Sequence, residues 1–140
     1  MRRLSPFLVL VCLLLTACSL RAAETNTNPV PKVAITNLLA HMKDYRGKRV
    51  EVTGYYKSGF EESSLYENRE DAKGVRDERA LWIEPFVKPG HEKKVKFVKE
   101  GMVRIVGVFD YNARQPHLGV GHSNGWPAQI VALEVFEEIK

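Results

Sequence analysis

The sequence predicts a mainly β domain, a small five-stranded barrel preceded by one short helix, and three observations carry that expectation. Five segments after residue 48 are rich in β-branched and aromatic residues, whereas only one stretch spaces its apolar residues by three and four. Val50-Glu51-Val52-Thr53-Gly54 and Val103-Arg104-Ile105-Val106-Gly107 each set a glycine in phase with inward-facing β-branched residues. A glycine there packs nothing, so it marks a bend or a close backbone approach, the device that closes small barrels. Finally, 140 residues with 44% hydrophobic, 27% charged and two Cys make one globular domain and exclude a multidomain enzyme, a disordered polymer and a disulfide scaffold. A β-sandwich with one covering helix is the alternative architecture.

Taken in order, Arg2 and Arg3 precede an apolar stretch from Leu4 to Leu15, too short to span ~30 Å of hydrocarbon as a helix, so residues 1–17 read as a signal peptide. Leu15-Thr16-Ala17-Cys18 follows directly and resembles the lipobox of bacterial lipoproteins. The resemblance implies that Cys18 is diacylated and becomes the first mature residue, with palmitate-type chains as the anchor. Each buried methylene contributes about 0.8 kcal/mol, and two or more chains give stable attachment. Ser19 at the next position implies sorting to the outer membrane, with the domain facing the periplasm. The alternative is plain secretion with cleavage near Ala22-Ala23, a site that Leu20 and Arg21 suit poorly. With Cys12 removed and Cys18 lipidated, no thiol remains for a disulfide, a metal or catalysis. The mature chain carries 19 Lys and Arg against 17 Asp and Glu, too even a balance to argue on its own for nucleic acid or anionic lipid.

Residues 18–31 read as the lipid anchor and a flexible tether, small, polar and Pro-containing, and the folded domain is expected over 32–140. Thr36 is a candidate N-cap for a helix over 37–45 that carries Leu38, Leu39, Met42 and Tyr45 on one stripe and ends at Gly47. Strands are expected over 49–57, 64–68, 80–86, 102–110 and 128–137. From Gly47 to Phe136 the chain resembles an OB-fold: a V-x-V-x-G first strand after Gly47-Lys48, a matching fourth strand and a terminal strand around Gln129 to Val135. It is similar to small periplasmic OB proteins and OB-like lipoproteins of unknown function. The interval from Lys88 to Glu100, where OB-folds commonly place a helix, has room only for a short turn, so the helix before the first strand must plug the barrel instead.

The candidate binding residues are aromatic. Trp82 faces away from Leu81 and Ile83, and Tyr55 away from Val50 and Val52, so Tyr55, Tyr66 and Trp82, with Arg104, form an expected outer-face patch. The OB resemblance implies ligand contact across the second and third strands, with aromatics as stacking platforms. The competing reading covers that face with the helix or with the loop from Tyr111 to Pro127, turning Trp82 into a core residue. His117 and His122 flank Leu118-Gly119-Val120-Gly121; with no Cys and Asp110 as the nearest carboxylate, they read as loop hydrogen-bonding groups or a pH-responsive pair rather than metal ligands. Lys88, His91, Lys93, Lys94, Lys96 and Lys99 surround Phe97 in a segment read as a solvated connection whose Val95, Phe97 and Val98 dock on the core, the alternative being a basic loop that tracks a phosphate backbone or an acidic polysaccharide. Glu61, Glu62, Glu67, Glu70 and Asp71 offer acids but no fixed separation, and Ser63 and Ser64 lack a nucleophile-elbow context.

These residues point to a lipid-anchored, non-enzymatic envelope module, without cofactor or metal, that contacts an envelope protein, a peptide or a glycan. The readings set against it are an envelope hydrolase, in which acids of Glu61 to Asp71 meet His117 or His122, and nucleotide or oligonucleotide binding on the OB-like face.

Overall fold

The computed structural model describes residues 28–140. The expected signal peptide, Cys18 and most of the tether lie outside them. Strands β1 (Arg49–Gly59), β2 (Glu62–Tyr66), β3 (Leu81–Ile83), β4 (Glu100–Asp110) and β5 (Ala128–Glu138) close into a barrel in the order β1-β2-β3-β5-β4. Every neighbouring pair is antiparallel except β3 with β5, which run parallel. The domain is therefore a mainly β, OB-like five-stranded barrel, and the alternative sandwich is excluded.

Both glycines stand at points where backbone meets backbone. A Cβ on Gly54 would lie 2.4 Å from the carbonyl oxygen of Tyr66, where β2 begins to pair with β1 at Tyr55. A Cβ on Gly107 would lie 2.6 Å from Ile130 Cγ2 and 2.8 Å from the carbonyl oxygen of Val131. Opposite Gly107 the ladder slips: Val106 pairs with Val135 but Val108 pairs with Val131, and Ala132 takes φ 50° to absorb the extra residues. Such a bulge bends the sheet, as closure of a small barrel requires.

The helix differs in detail from the expectation over 37–45. It starts earlier, as α1 (Ile35–Ala40), and breaks at His41, φ −129° and ψ 39°, before α2 (Met42–Tyr45). Thr36 is not its cap; its own N–H is capped by the Glu67 carboxylate at 3.2 Å, a long-range group that local sequence does not reveal. Ile35 and Leu38 are fully buried among Val50, Val52 and Leu65, so α1 plugs the barrel. Gly47 then turns the chain at φ 73°, and its N–H bonds to Phe109.

Two strands are shorter or shifted. β3 stops at Ile83 rather than Phe86 because Pro85 has no N–H to give; the chain instead runs on beside β5, with Glu84 bonding to Ile130 and Lys88 to Leu133. β2 ends at Tyr66 because Asn68 turns outward to cap a helix the sequence reading treats as loop, α3 (Arg69–Lys73), its Oδ1 accepting from the N–H of Asp71 at 2.9 Å. Between β3 and β4 the structure has one tight helical turn, Glu92–Lys94, in agreement with the room available.

Candidate functional site

Outside the barrel lies a second, smaller apolar cluster, and it occupies the face where the binding patch is expected. Tyr55, Tyr66, Ala72, Ala80, Val120 and Trp126 are buried there, with Trp82 packed half-buried against them. The cover is the loop after β4. Its residues Gly119, Gly121, Ser123 and Asn124 take φ of 66°, 78°, 55° and 57°, a succession of left-handed conformations that folds the loop back on itself. Val120 and Trp126 pair across it through two backbone hydrogen bonds. Gly121 lies so close to the indoles that a Cβ would sit 2.7 Å from Trp82 and 2.8 Å from Trp126. The two rings are 4.6 Å apart at 54°.

The polar atoms of this cluster are all engaged. Trp126 Nε1 donates to Ser64 Oγ at 3.0 Å, and Trp82 Nε1 donates to Glu84 at 3.1 Å. Tyr66 is fully buried and donates to Asp77 at 2.7 Å and Glu62 at 3.1 Å; burial first, and then the bond to Asp77, push its pKa far above that of an ordinary tyrosine. Tyr55 donates to Glu100, and that bond to a carboxylate raises its pKa as well. Of the residues expected to form an open stacking platform, then, Tyr55 and Tyr66 are enclosed and Trp82 stacks on Trp126, because the loop between Tyr111 and Pro127 carries an aromatic and a glycine that fit them.

Arg104 stands elsewhere. It is the middle of an ionic ladder across three strands, donating to Glu137 on β5 at 2.7 Å and to Glu51 on β1 at 2.9 Å. It lines an open groove of about 740 Å³ together with Lys93, Lys94, Lys96 and Phe97. A second groove, about 520 Å³, is more apolar and lies between the helices and the β4–β5 loop, lined by Leu39, Met42, Tyr111 and Pro116.

The histidines separate. His122 Nε2 approaches Glu61 at 3.2 Å, joining the covering loop to the β1–β2 hairpin tip, where Phe60 is 92% exposed. His117 sits on its own exposed turn, Pro116–Leu118. Among the described residues no group of three His, Cys, Asp or Glu is arranged to hold a metal ion.

The acids of the 61–71 stretch are distributed among separate duties. Glu62 pairs with Lys57, Glu67 caps α1, Glu70 pairs with Lys73, and Asp71 lies between Arg76 and Arg79. Asp71 is buried, and the more deeply buried acid is one that the sequence did not single out. Glu134, 2% exposed, accepts from Arg49 at 2.7 Å and from Lys88 at 2.8 Å. Burial by itself would raise its pKa; the two cations outweigh that and hold it below the usual carboxylate value. No local signal marks Glu134, since both its partners are more than forty residues away.

Comparison with family models, curated proteins and solved structures returns no match.

Proposed function

We propose that the protein is a lipid-anchored, non-enzymatic binding or scaffolding module of the bacterial envelope, held at the outer membrane through acyl chains on Cys18 and facing the periplasm. The observation that carries this reading is the covered β2–β3 face. Its aromatics and polar atoms are spent on holding the loop down, so contact with a partner passes to the outside of the cover. There Phe60, 92% exposed at the hairpin tip, stands next to Glu61 and through it to His122, with Leu118 41% exposed on the same loop. An exposed aromatic beside polar loop groups suits a protein or peptide surface. Glu61 does meet His122, as the hydrolase reading expects, but that pair is exposed at the hairpin tip and the other acids of 61–71 are engaged elsewhere in pairs and caps, which supports binding over hydrolysis.

Two experiments test this. The mass of the N-terminal peptide from membrane-extracted protein should show a diacylated Cys18 as first residue, and Cys18→Ser should release the chain; an unmodified N-terminus near Ala23 sinks the anchor. A photo-crosslinking residue at position 60 should capture one discrete envelope component, whereas release of fragments from peptidoglycan by the purified protein would sink the non-enzymatic reading.

A further inference from the structure

The segment from Phe86 to Lys99 lies against β5 and is held there along its length. Val87 bridges Leu133, Val95 bridges Phe136, and the N–H of Lys96 bonds to the carbonyl of Phe136 at 2.8 Å. The ring of Phe97 rests 4.9 Å from that of Phe136. Val95 and Val98 pack against the barrel core, while Lys88, Lys93, Lys94, Lys96 and Lys99 are all exposed. Two aromatic rings stand among them, Phe86 71% exposed and Phe97 46% exposed.

Of the neighbouring acids, Glu134 is neutralised by Arg49 and Lys88, and Glu137 shares Arg104 with Glu51, while Glu100 and Glu92 accept from neutral donors, the Tyr55 hydroxyl and the Gly90 N–H, and keep their charge. Glu138, on the groove wall, has no ion-pair partner among the described residues, and neither do Lys93, Lys94, Lys96 and Lys99. The result is a ridge of four lysines without ion-pair partners among the described residues, bordered by the carboxylates of Glu92, Glu100 and Glu138 and carrying two exposed apolar rings.

The chain enters the domain on the same flank. Asn28, Pro29, Val30 and Pro31 lie against Lys48 and Arg49. Arg49 reaches Lys88, the first lysine of the ridge, across the single carboxylate of Glu134. From Asn28 back to Cys18 is ten peptide steps, at most about 35 Å of chain.

We infer that this ridge is a bilayer-docking surface: its lysines meet anionic lipid headgroups, and Phe86 and Phe97 enter the headgroup boundary. This rests on the anchor reading for what brings the bilayer near. Clustered lysines next to exposed aromatics are the chemistry that anionic membrane surfaces attract, each lysine adding about fivefold in affinity near such a surface. The hairpin that carries Phe60 meets the end of the ridge, where the N–H and hydroxyl of Ser58 both donate to the carbonyl of Lys99.

The test uses the full-length chain reconstituted in vesicles of phosphatidylcholine alone or mixed with phosphatidylglycerol, and reads lysine acetylation rates by mass spectrometry. Lys93, Lys94, Lys96 and Lys99 should react at least about fivefold more slowly on phosphatidylglycerol vesicles at low salt. High salt should restore them, and Lys43 and Lys73 should not change. Equal rates on both vesicles, with the chain floating on both, overturn the ridge and leave the anchor standing. Flotation on anionic vesicles alone supports the ridge and overturns the anchor; flotation on neither overturns both. Stronger protection by soluble polyglutamate than by vesicles makes the ridge a site for acidic peptide and overturns the bilayer assignment.

Discussion

Trp126 donates from its indole nitrogen to the hydroxyl of Ser64, 62 residues earlier in the chain, at 3.0 Å and out of reach of solvent. That bond ties the covering loop to β2, and without it a buried donor has no partner. Ser64→Ala should cost about 1–3 kcal/mol in urea unfolding. It should also make tryptophan fluorescence easier to quench with acrylamide, which in the native protein should quench weakly. Unchanged quenching would mean that the bond does not hold the loop.

Gly121 and Gly47 share a positive φ but differ in surroundings, which separates backbone strain from collision. At Gly47 an added Cβ meets nothing within 4 Å, so Gly47→Ala should cost only about 1 kcal/mol. At Gly121 it would sit 2.7 Å from Trp82, so Gly121→Ala should cost more and expose the tryptophans. Equal losses, measured by thermal unfolding, would contradict the packing described for the two indoles.

The Glu134 carboxylate gives stability a defined pH dependence. Because its folded pKa lies below the ordinary 4.5, its contribution is complete above that pH and is lost as pH falls through the folded value. The urea midpoint should therefore drop on acidification below pH 4.5, and Glu134→Gln should flatten that limb while costing about 1–3 kcal/mol at neutral pH. An identical acid limb in the variant would assign the effect to other groups.

Leu38 tests the plug. Fully buried in the barrel core on a six-residue helix, it should cost about 2–5 kcal/mol as Leu38→Ala in chemical denaturation. A loss below about 1 kcal/mol would mean that α1 merely rests on the barrel.

His122 and Glu61 form an exposed pair, worth about 0–1 kcal/mol, so His122→Ala should barely move the unfolding midpoint. Zinc titrated in a calorimeter should give no saturable heat; a stoichiometric binding curve would contradict that reading of the histidines.

What sequence reasoning reached was set by period and by glycine. The alternation in Val50-Glu51-Val52 and the in-phase Gly54 and Gly107 follow from local sterics, so strands and closure were legible. The missed features depend on distant partners: Glu67 capping Thr36, Asn68 opening α3 beside β2, Arg49 and Lys88 burying Glu134. At the candidate site, Trp82 was legible as outward-facing, but its cover was not decidable. The fit between Gly121 and the Trp82 and Trp126 rings appears only once a loop with four left-handed residues is folded.

The circular strand order has a consequence for crowding. Among the described residues each long strand is hydrogen-bonded on both sides, so the closed sheet offers no free rim on which a neighbouring copy could add its own strand. Molecules packed at high density in one plane can thus touch through side chains without seeding fibrous stacking.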